Sequence, residues 1–223
     1  MRQAWRQIGT VVLSGSLFCS SHTLASEGRG AYEVTVTNVT QGEIFTPIMV
    51  ASHPRGIQLF ELGHPAGTEL AMLAEGGDTG PLSALLMQQG AHDVATAAGV
   101  LPPGGSVTLT VKTRGGSHYL SVASMLVPSN DAFFAVNGVP GPRGNGTKTV
   151  FSPAYDAGSE TNDELCVSIP GPPFICQGEG FNTLDGEGYV HIHPGIQGIG
   201  DLSAAQHDWH NPVAKISIRL VRR

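Results

Sequence analysis

Four acidic residues lie within nine positions of one short stretch, SPAYDAGSETNDELC, at residues 152 to 166. They are Asp156, Glu160, Asp163 and Glu164, and no Lys or Arg lies among them. Carboxylates this close repel one another unless water screens them or a cation holds them. Three interpretations are open at this point: a solvated loop, a pair of catalytic carboxylates, or the ligands of a hard metal ion.

Further acids lie on predicted loops elsewhere in the chain. Asp131 follows a turn in PSND, Glu75 ends a predicted helix in LAEGGD, and Asp78 comes directly after it. Calcium takes six to eight oxygen ligands, which carboxylates on loops between strands can supply. The spacing does not match the twelve-residue helix–loop–helix calcium motif, and on spacing alone these residues are more typical of turns in which Asp and Asn cap backbone N–H groups.

Two histidines form a second candidate site. His191 and His193 in VHIHPGI are two positions apart, so on a strand they share a face, as ligands of zinc and iron often do. A third ligand would come from QHDWH, as His207, Asp208 or His210. A metal-dependent hydrolase or a cupin-like oxygenase is therefore the alternative function. The competing interpretation is a pair of surface or packed histidines on an edge strand.

Other catalytic patterns have little support. SGS and GGS lack the strand–turn–helix setting of an esterase. Paired carboxylates serve in glycosidases, but aromatic residues, which line glycosidase clefts, make up only 6% of this chain. We therefore predict that the protein is not an enzyme.

The first 25 residues have the order of a secretory signal. MRQAWRQ is basic, IGTVVLSGSLF is a short apolar run, and the small residues that follow predict cleavage near Ala25. We expect a secreted or periplasmic protein with one domain at residues 26–223. Removal of Arg2 and Arg6 leaves 18 acidic residues against 10 basic ones, a net charge of −8. Such a surface repels nucleic acid and anionic membranes, and no second apolar stretch is long enough to span a membrane.

Two cysteines remain after such cleavage, Cys166 and Cys176. An even pair in an exported protein predicts a disulfide, which would close the Pro- and Gly-rich loop VSIPGPPFI. A thiolate metal site is the less favoured alternative, because only two cysteines are present.

Alternating apolar and polar residues predict strands along most of the chain. They lie in AYEVTVTNVT, TPIMVAS, SVTLTVKT, HYLSVASML, AFFAV, GYVHIH and NPVAKISIRLVRR. Helical composition is confined to AGTELAMLAEGG and PLSALLMQQG, and loops are predicted at residues 138–146 and over much of 157–187. The fold class is mainly β, an antiparallel sandwich with one or two short helices.

Several blocks in this order resemble the spondin domain, the module found in F-spondin and mindin. They are PIMVASHP, LFELGHPAGTELAMLAEGGD, SMLVPSNDAFFAV, AYDAGSE and PVAKISIRL, and together they extend from about residue 32 to about residue 221. The chain resembles the free-standing bacterial and marine-invertebrate versions, which are secreted and lack thrombospondin repeats. The resemblance implies a β-sandwich similar to a C2 domain that binds one calcium ion and serves adhesion or recognition of an extracellular protein or glycan.

The resemblance also assigns residues. Asp131 in PSND and Asp156 in YDAG match calcium positions of the family, and Glu75 and Glu160 fall on acidic positions. Asp163 and Glu164 lie outside the matching motif, and we expect them to face solvent. The cysteine pair, VHIHPGI and QHDWHNP depart from the animal domains, so activities of those domains do not transfer directly.

Overall fold

The computed structural model describes residues 30–182 and 186–222. The predicted signal and its cleavage near Ala25 lie outside these residues. The described chain forms eleven strands and three short helices. The strands are β1 (Gly30–Asn38), β2 (Ile44–Phe45), β3 (Met49–His53), β4 (Asp93–Thr96), β5 (Ser106–Thr113), β6 (Tyr119–Val127), β7 (Ala132–Pro140), β8 (Thr147–Ser152), β9 (Ala154–Asp156), β10 (His191–Ile192) and β11 (Ala214–Arg222). The helices are α1 (Thr68–Gly76), α2 (Gly80–Gln88) and α3 (Ala204–His207).

The strands form two antiparallel sheets, so the predicted fold class is confirmed. The smaller sheet has the order β5-β1-β11-β8, and the larger has the order β10-β9-β7-β6-β3-β4, with β2 paired to β6. Buried residues from both sheets meet in one core cluster, which includes Val34 and Ile218 from the smaller sheet and Val122 and Phe134 from the larger. The two sheets therefore pack face to face as the layers of a sandwich.

The strands of the smaller sheet form where apolar and polar residues alternate in the sequence. Val34 lies opposite Ile218 on one neighbouring strand and opposite Leu109 on the other, and all three side chains are buried. The residues between them are polar and more exposed. A period of two places one face of each strand in the core and the other in solvent.

The larger sheet is buried on both of its faces, which explains its more continuous apolar strands. In β3, Val50 joins the core between the sheets, whereas Met49 and Ala51 join a second cluster on the opposite face. That second cluster includes Leu70 and Leu73 of α1. The two longer helices thus cover the outer face of the larger sheet.

The structure differs from the sequence-based elements in several places. β2, β4 and β8 were not predicted, the predicted loop at residues 138–146 begins only after Pro140, and a third helix of one turn is present. β4 has four partly exposed residues, and β8 starts directly after a Gly-rich turn. Short edge strands of this kind carry little apolar periodicity, because only one of their sides pairs with the sheet.

The predicted disulfide between Cys166 and Cys176 is confirmed. Cys176 is buried and belongs to the core cluster between the sheets, together with Ile169. The bridge therefore attaches the long loop after β9 to the sandwich. Among the described ranges, no helix has both the length and the apolar character that a membrane crossing requires.

Candidate metal centre

Two neighbouring strands of the larger sheet bring Asp131 and Asp156 together. Asp131 directly precedes β7, and Asp156 is the last residue of β9. Ala132 lies opposite Asp156 in the ladder, and the Ala157 N–H donates to the Asp131 carbonyl oxygen over 3.3 Å. The potential ligand atoms of the Asp131 and Asp156 side chains lie within 4.8 Å of one another. The strand register therefore joins two acids that are far apart in the sequence.

The turn after Asp156 explains the YDAG motif. The Gly158 N–H donates to Asp156 Oδ1 over 2.7 Å, which is the hydrogen bond of an Asx turn. Gly158 has a φ of +65°, and a Cβ atom there would lie 2.3 Å from the carbonyl oxygen of Tyr189. Both the left-handed backbone and the close approach require glycine. The turn thereby fixes one oxygen of Asp156 and keeps the segment before β10 close to it.

Asp131 is fully buried, and only one of its two oxygens is satisfied. Oδ2 accepts the N–H groups of Ser159 and Glu160 at 2.9 and 3.2 Å. Oδ1 is inaccessible to solvent and accepts no hydrogen bond from any described residue. Buried polar atoms are nearly always paired, so an orphaned carboxylate oxygen indicates a missing partner at this position.

Burial and, after it, neighbouring carboxylates disfavour the ionised form of the pair. Burial raises the pKa of Asp131 well above its usual range, and the carboxylates of Asp156 and Glu187 raise it further. Burial also raises the pKa of Asp156, against hydrogen bonds from Asn162 and Gly158 that favour the ionised form. In the part of the chain that the structure describes, no Lys or Arg forms an ion pair with either Asp. The pair therefore favours a cation between its carboxylates.

Glu75 and Glu160 form a second pair beside the first. Asn182 connects them, because its backbone N–H donates to Glu75 Oε2 and its Nδ2 donates to Glu160 Oε1, both over 2.9 Å. Burial raises the pKa of Glu160 to about 7, with a further contribution from the Glu75 carboxylate. Burial raises the pKa of Glu75 as well.

The four predicted carboxylates thus lie in one region, but they do not converge on a single point. The group of side chains whose potential ligand atoms all lie within 4.8 Å of one another is Asp131, Asp156 and His193. Glu160 is joined to this group through its backbone N–H on Asp131. We therefore take Asp131 and Asp156 as the centre, with Glu75 and Glu160 as a flanking pair.

The two predicted histidines lie at the same place as the carboxylates. β10 pairs with β9 so that His191 lies opposite Asp156. His191 Nε2 is 3.6 Å and His193 Nε2 is 3.9 Å from Asp156 Oδ2. The carboxylate set and the histidine set, which were separate alternatives in the sequence, therefore share Asp156.

The proposed third ligands from QHDWH do not join the two histidines. His207 Nδ1 lies 3.4 Å from Glu43 Oε1, Asp208 Oδ1 accepts the Ile196 N–H, and His210 Nδ1 lies 3.1 Å from the Trp209 carbonyl oxygen. Each of the three is engaged elsewhere in the described chain.

The expectation that Glu164 faces solvent is wrong. Glu164 is buried, and its carboxylate accepts the N–H groups of Gln197 and Ile199 at 2.5 and 2.9 Å. Its own backbone has a φ of +56°, an unusual conformation that these hydrogen bonds help to maintain. Asp163 is half-buried and accepts from Asn130 Nδ2. The hydrogen bonds that both acids accept therefore hold the loop after β9 in its conformation.

Three polar residues at the centre were missed by the sequence analysis. Asn162 Nδ2 donates to Asp156 Oδ2 over 2.6 Å and lies 3.3 Å from Glu187 Oε1, while Asn182 joins the two glutamates. They lie in the long loop after β9, where the composition is rich in turn-forming residues. No periodicity marks such residues, because their contacts depend on the path of the loop.

The donor set fits calcium, the ion that the family resemblance implies. Asp131 Oδ1 is an orphaned carboxylate oxygen, and Asp156 Oδ2 can bind an ion beside its hydrogen bond from Asn162. Carboxylate and amide oxygens are the ligands that calcium prefers. Asp131 and Asp156 would hold the ion directly, and the ion would neutralise their repulsion.

Comparisons with known proteins identify a family. Residues 37–140 match the family model Spondin_N. A search of curated proteins finds no match to the chain. Glu75 and Asp131 lie inside the matched residues, whereas Asp156, Glu160 and the histidines lie beyond them. With its two-layered β fold, the chain therefore contains a spondin domain.

Proposed function

We propose that this protein is a calcium-binding recognition module of the extracellular space or periplasm. One calcium ion binds between Asp131 and Asp156, and Glu160 and Glu75 contribute negative charge beside it. The partner is an extracellular protein or glycan. The spondin domain extends over residues 26–223, after removal of a signal at residues 1–25.

The single observation that carries the calcium proposal is the orphaned Oδ1 of Asp131. It is buried, it accepts no hydrogen bond from the described residues, and it belongs to a carboxylate beside Asp156. An unpaired buried charge costs several kcal/mol, on the order of 3–5 for the breaking of a buried pair. A bound cation removes this cost.

The ion has a structural role in this proposal. It connects the start of β7 to the long loop after β9, whose N–H groups at Ser159 and Glu160 already bind Asp131. Ordered loops at one end of a rigid sandwich are common recognition surfaces. Calcium would therefore control the shape of the surface that meets the partner.

A non-catalytic role is supported by the surroundings of the histidines. His193 is buried and contacts Asn162, and the two histidines and one acid of QHDWH that were candidate third ligands are engaged elsewhere. We therefore propose a binding module rather than a metal-dependent hydrolase or oxygenase.

Thermal unfolding with EDTA and with calcium tests the proposal. At free calcium 100-fold above the dissociation constant, binding to the folded state stabilises by about 2.7 kcal/mol. For a protein of this size, that raises Tm by about 5–10 °C. The double variant Asp131→Asn/Asp156→Asn should show no calcium response.

The control is Asp78→Asn. Asp78 is exposed, and its carboxylate accepts only the Gly80 N–H among the described hydrogen bonds, so this variant should keep the full response. A Tm of the wild type that does not change with calcium, or a double variant that still responds, contradicts the proposal.

A further inference from the structure

The two histidines of VHIHPGI are held in opposite tautomers by backbone groups. His193 Nδ1 accepts the Gly195 N–H over 3.0 Å, so the proton of the neutral ring is on Nε2. His193 Nε2 accordingly donates to Asn162 Oδ1 over 3.1 Å. A nitrogen that carries a proton has no lone pair for a metal. His193 is therefore not a ligand in this arrangement, although its ring is next to Asp156.

His191 has the opposite arrangement. Its Nδ1–H donates to the Tyr189 carbonyl oxygen over 3.1 Å, so the lone pair of the neutral ring is on Nε2. That atom lies 3.6 Å from Asp156 Oδ2. A metal-binding histidine almost always donates its other N–H to a carbonyl or carboxylate oxygen, as His191 does.

We propose that His191 Nε2 is a nitrogen ligand of the metal centre, so that the centre takes zinc or a similar divalent transition ion as well as calcium. This inference rests on the proposed function, since Asp131 and Asp156 supply the other ligands. Imidazole nitrogen favours zinc and related ions, whereas it adds little to the binding of calcium, which prefers oxygen. The side chain of His191 is 27% exposed, so it can turn towards an ion without disturbing the core.

His193 has a different role in the same centre, as a positioning residue. Gly195 orients its ring, the ring orients Asn162, and Asn162 donates to Asp156 Oδ2 over 2.6 Å. This chain of hydrogen bonds holds a ligand carboxylate in place. His193 therefore affects the binding of every ion that Asp156 coordinates, whereas His191 affects the binding only of ions that take nitrogen ligands.

The test compares zinc and calcium affinities by isothermal titration calorimetry on purified protein without an affinity histidine tag. The variants are His191→Asn, His193→Asn and the control His64→Asn. His64 Nε2 also lies 3.6 Å from a carboxylate, Glu61 Oε1, but both side chains are exposed and far more solvated. The control therefore has the same histidine–carboxylate separation without a buried acid pair.

We expect His191→Asn to weaken zinc binding at least 10-fold and to change calcium binding less than 2-fold. His193→Asn should weaken the binding of both ions by a similar factor, and His64→Asn should change neither. Cobalt gives a second readout, because loss of a nitrogen ligand shifts its visible absorption spectrum. Circular dichroism of each variant shows whether it is folded.

Zinc affinity within 2-fold of wild type in His191→Asn overturns the inference while leaving calcium binding unaffected. Selective loss of zinc in His193→Asn shows that the tautomer assignment is wrong. Zinc binding that requires His191, without any calcium response, supports the nitrogen ligand and contradicts calcium as the ion. Binding of neither ion by the wild type overturns both the inference and the proposed function.

Discussion

Glu43 and Asp131 are both buried acids with unpaired oxygens, but their neighbours differ in charge. Glu43 Oε1 lies 3.4 Å from His207 Nδ1, and burial raises the pKa of Glu43 to about 7, while His207 opposes this increase and the Asp208 carboxylate adds a smaller one. Asp131 has Asp156 and Glu187 as charged neighbours, and both raise its pKa further. The negative charge of the Glu43 carboxylate is neutralised without an added ion, either by a proton or by His207. The Asp131 site concentrates several negative charges, which a divalent cation neutralises more completely than one proton does.

The largest expected effect separates the two sites by their response to calcium. Asp131→Asn removes one of two repelling carboxylates, so in EDTA the variant should be more stable than the wild type by about 1–3 kcal/mol. In saturating calcium the order should reverse, because the wild type gains about 3 kcal/mol that the variant lacks. Chemical denaturation with and without calcium measures both differences.

Glu43→Gln is the matched control for this reversal, because it removes a buried carboxylate that has its own histidine partner. Its calcium-dependent stabilisation should equal that of the wild type. If calcium stabilised Asp131→Asn as much as the wild type, the Asp131 site would not be the site of calcium binding, and its contrast with the Glu43 site would be wrong.

The second prediction concerns the pH dependence of the Glu43 site. Its folded pKa of about 7 lies above the ordinary value of 4.5, so the folded state binds the proton more tightly than the unfolded state. The resulting stability is fully present below about pH 4.5 and is lost as the pH rises through about 7. A difference of this size corresponds to about 3 kcal/mol. The free energy of unfolding of Glu43→Gln should therefore decline less between pH 4.5 and 8 than that of the wild type.

Glu61→Gln serves as the control for that pH profile. Glu61 also lies beside a histidine, His64, but the pair is exposed. Its profile should follow the wild type throughout. A Glu43→Gln profile with the wild-type slope would contradict the description of Glu43 as a buried acid that holds a proton.

The third prediction concerns a region outside both acid sites. Cys166→Ser/Cys176→Ser opens a loop closed by residues ten positions apart, which should cost about 2–3 kcal/mol. We expect the same loss of stability in calcium and in EDTA, because the hydrogen-bond partners of Cys166 within the described ranges are Asp201 and Ile175 and include none of the four carboxylates of the candidate centre. A loss confined to one condition would show that the disulfide loop and the metal centre are coupled.

The smallest expected effect is that of Asn162→Ala. The variant removes the hydrogen bond to Asp156 Oδ2 and the partner of His193 Nε2, which should cost about 1–2 kcal/mol. Calcium affinity should also decrease, since Asp156 is less well positioned. Calorimetry of calcium binding to this variant and to the Glu61→Gln control measures the decrease, and an unchanged affinity would argue against the positioning role.

The fold could be predicted from sequence because alternation reports burial directly. β1 and β11 alternate along their whole length, and each pairs as expected of a half-buried strand. β4 and β8 escaped prediction because edge strands are only partly constrained by packing. The candidate metal centre is different. Spacing alone favoured turn caps for Asp131 and Asp156, and only the likeness to spondin domains favoured a metal site.

Other features of the centre depend on the path of the chain, which local sequence does not determine. The tautomers of His191 and His193 are set by the backbone groups of Tyr189 and Gly195, and Asn162 contacts Asp156 through the course of a long loop. Glu164 was wrongly expected in solvent for the same reason, because its partners lie more than thirty residues away.

The pairing of the first and last described strands has a mechanical consequence. Gly30 lies opposite Arg222, and the ladder between β1 and β11 runs antiparallel from there to Asn38 and Ala214. Tension applied through Gly30 and Arg222 would load this ladder one hydrogen bond at a time, as in unzipping, rather than all bonds together in shear. A module tethered through both positions would therefore yield at low force.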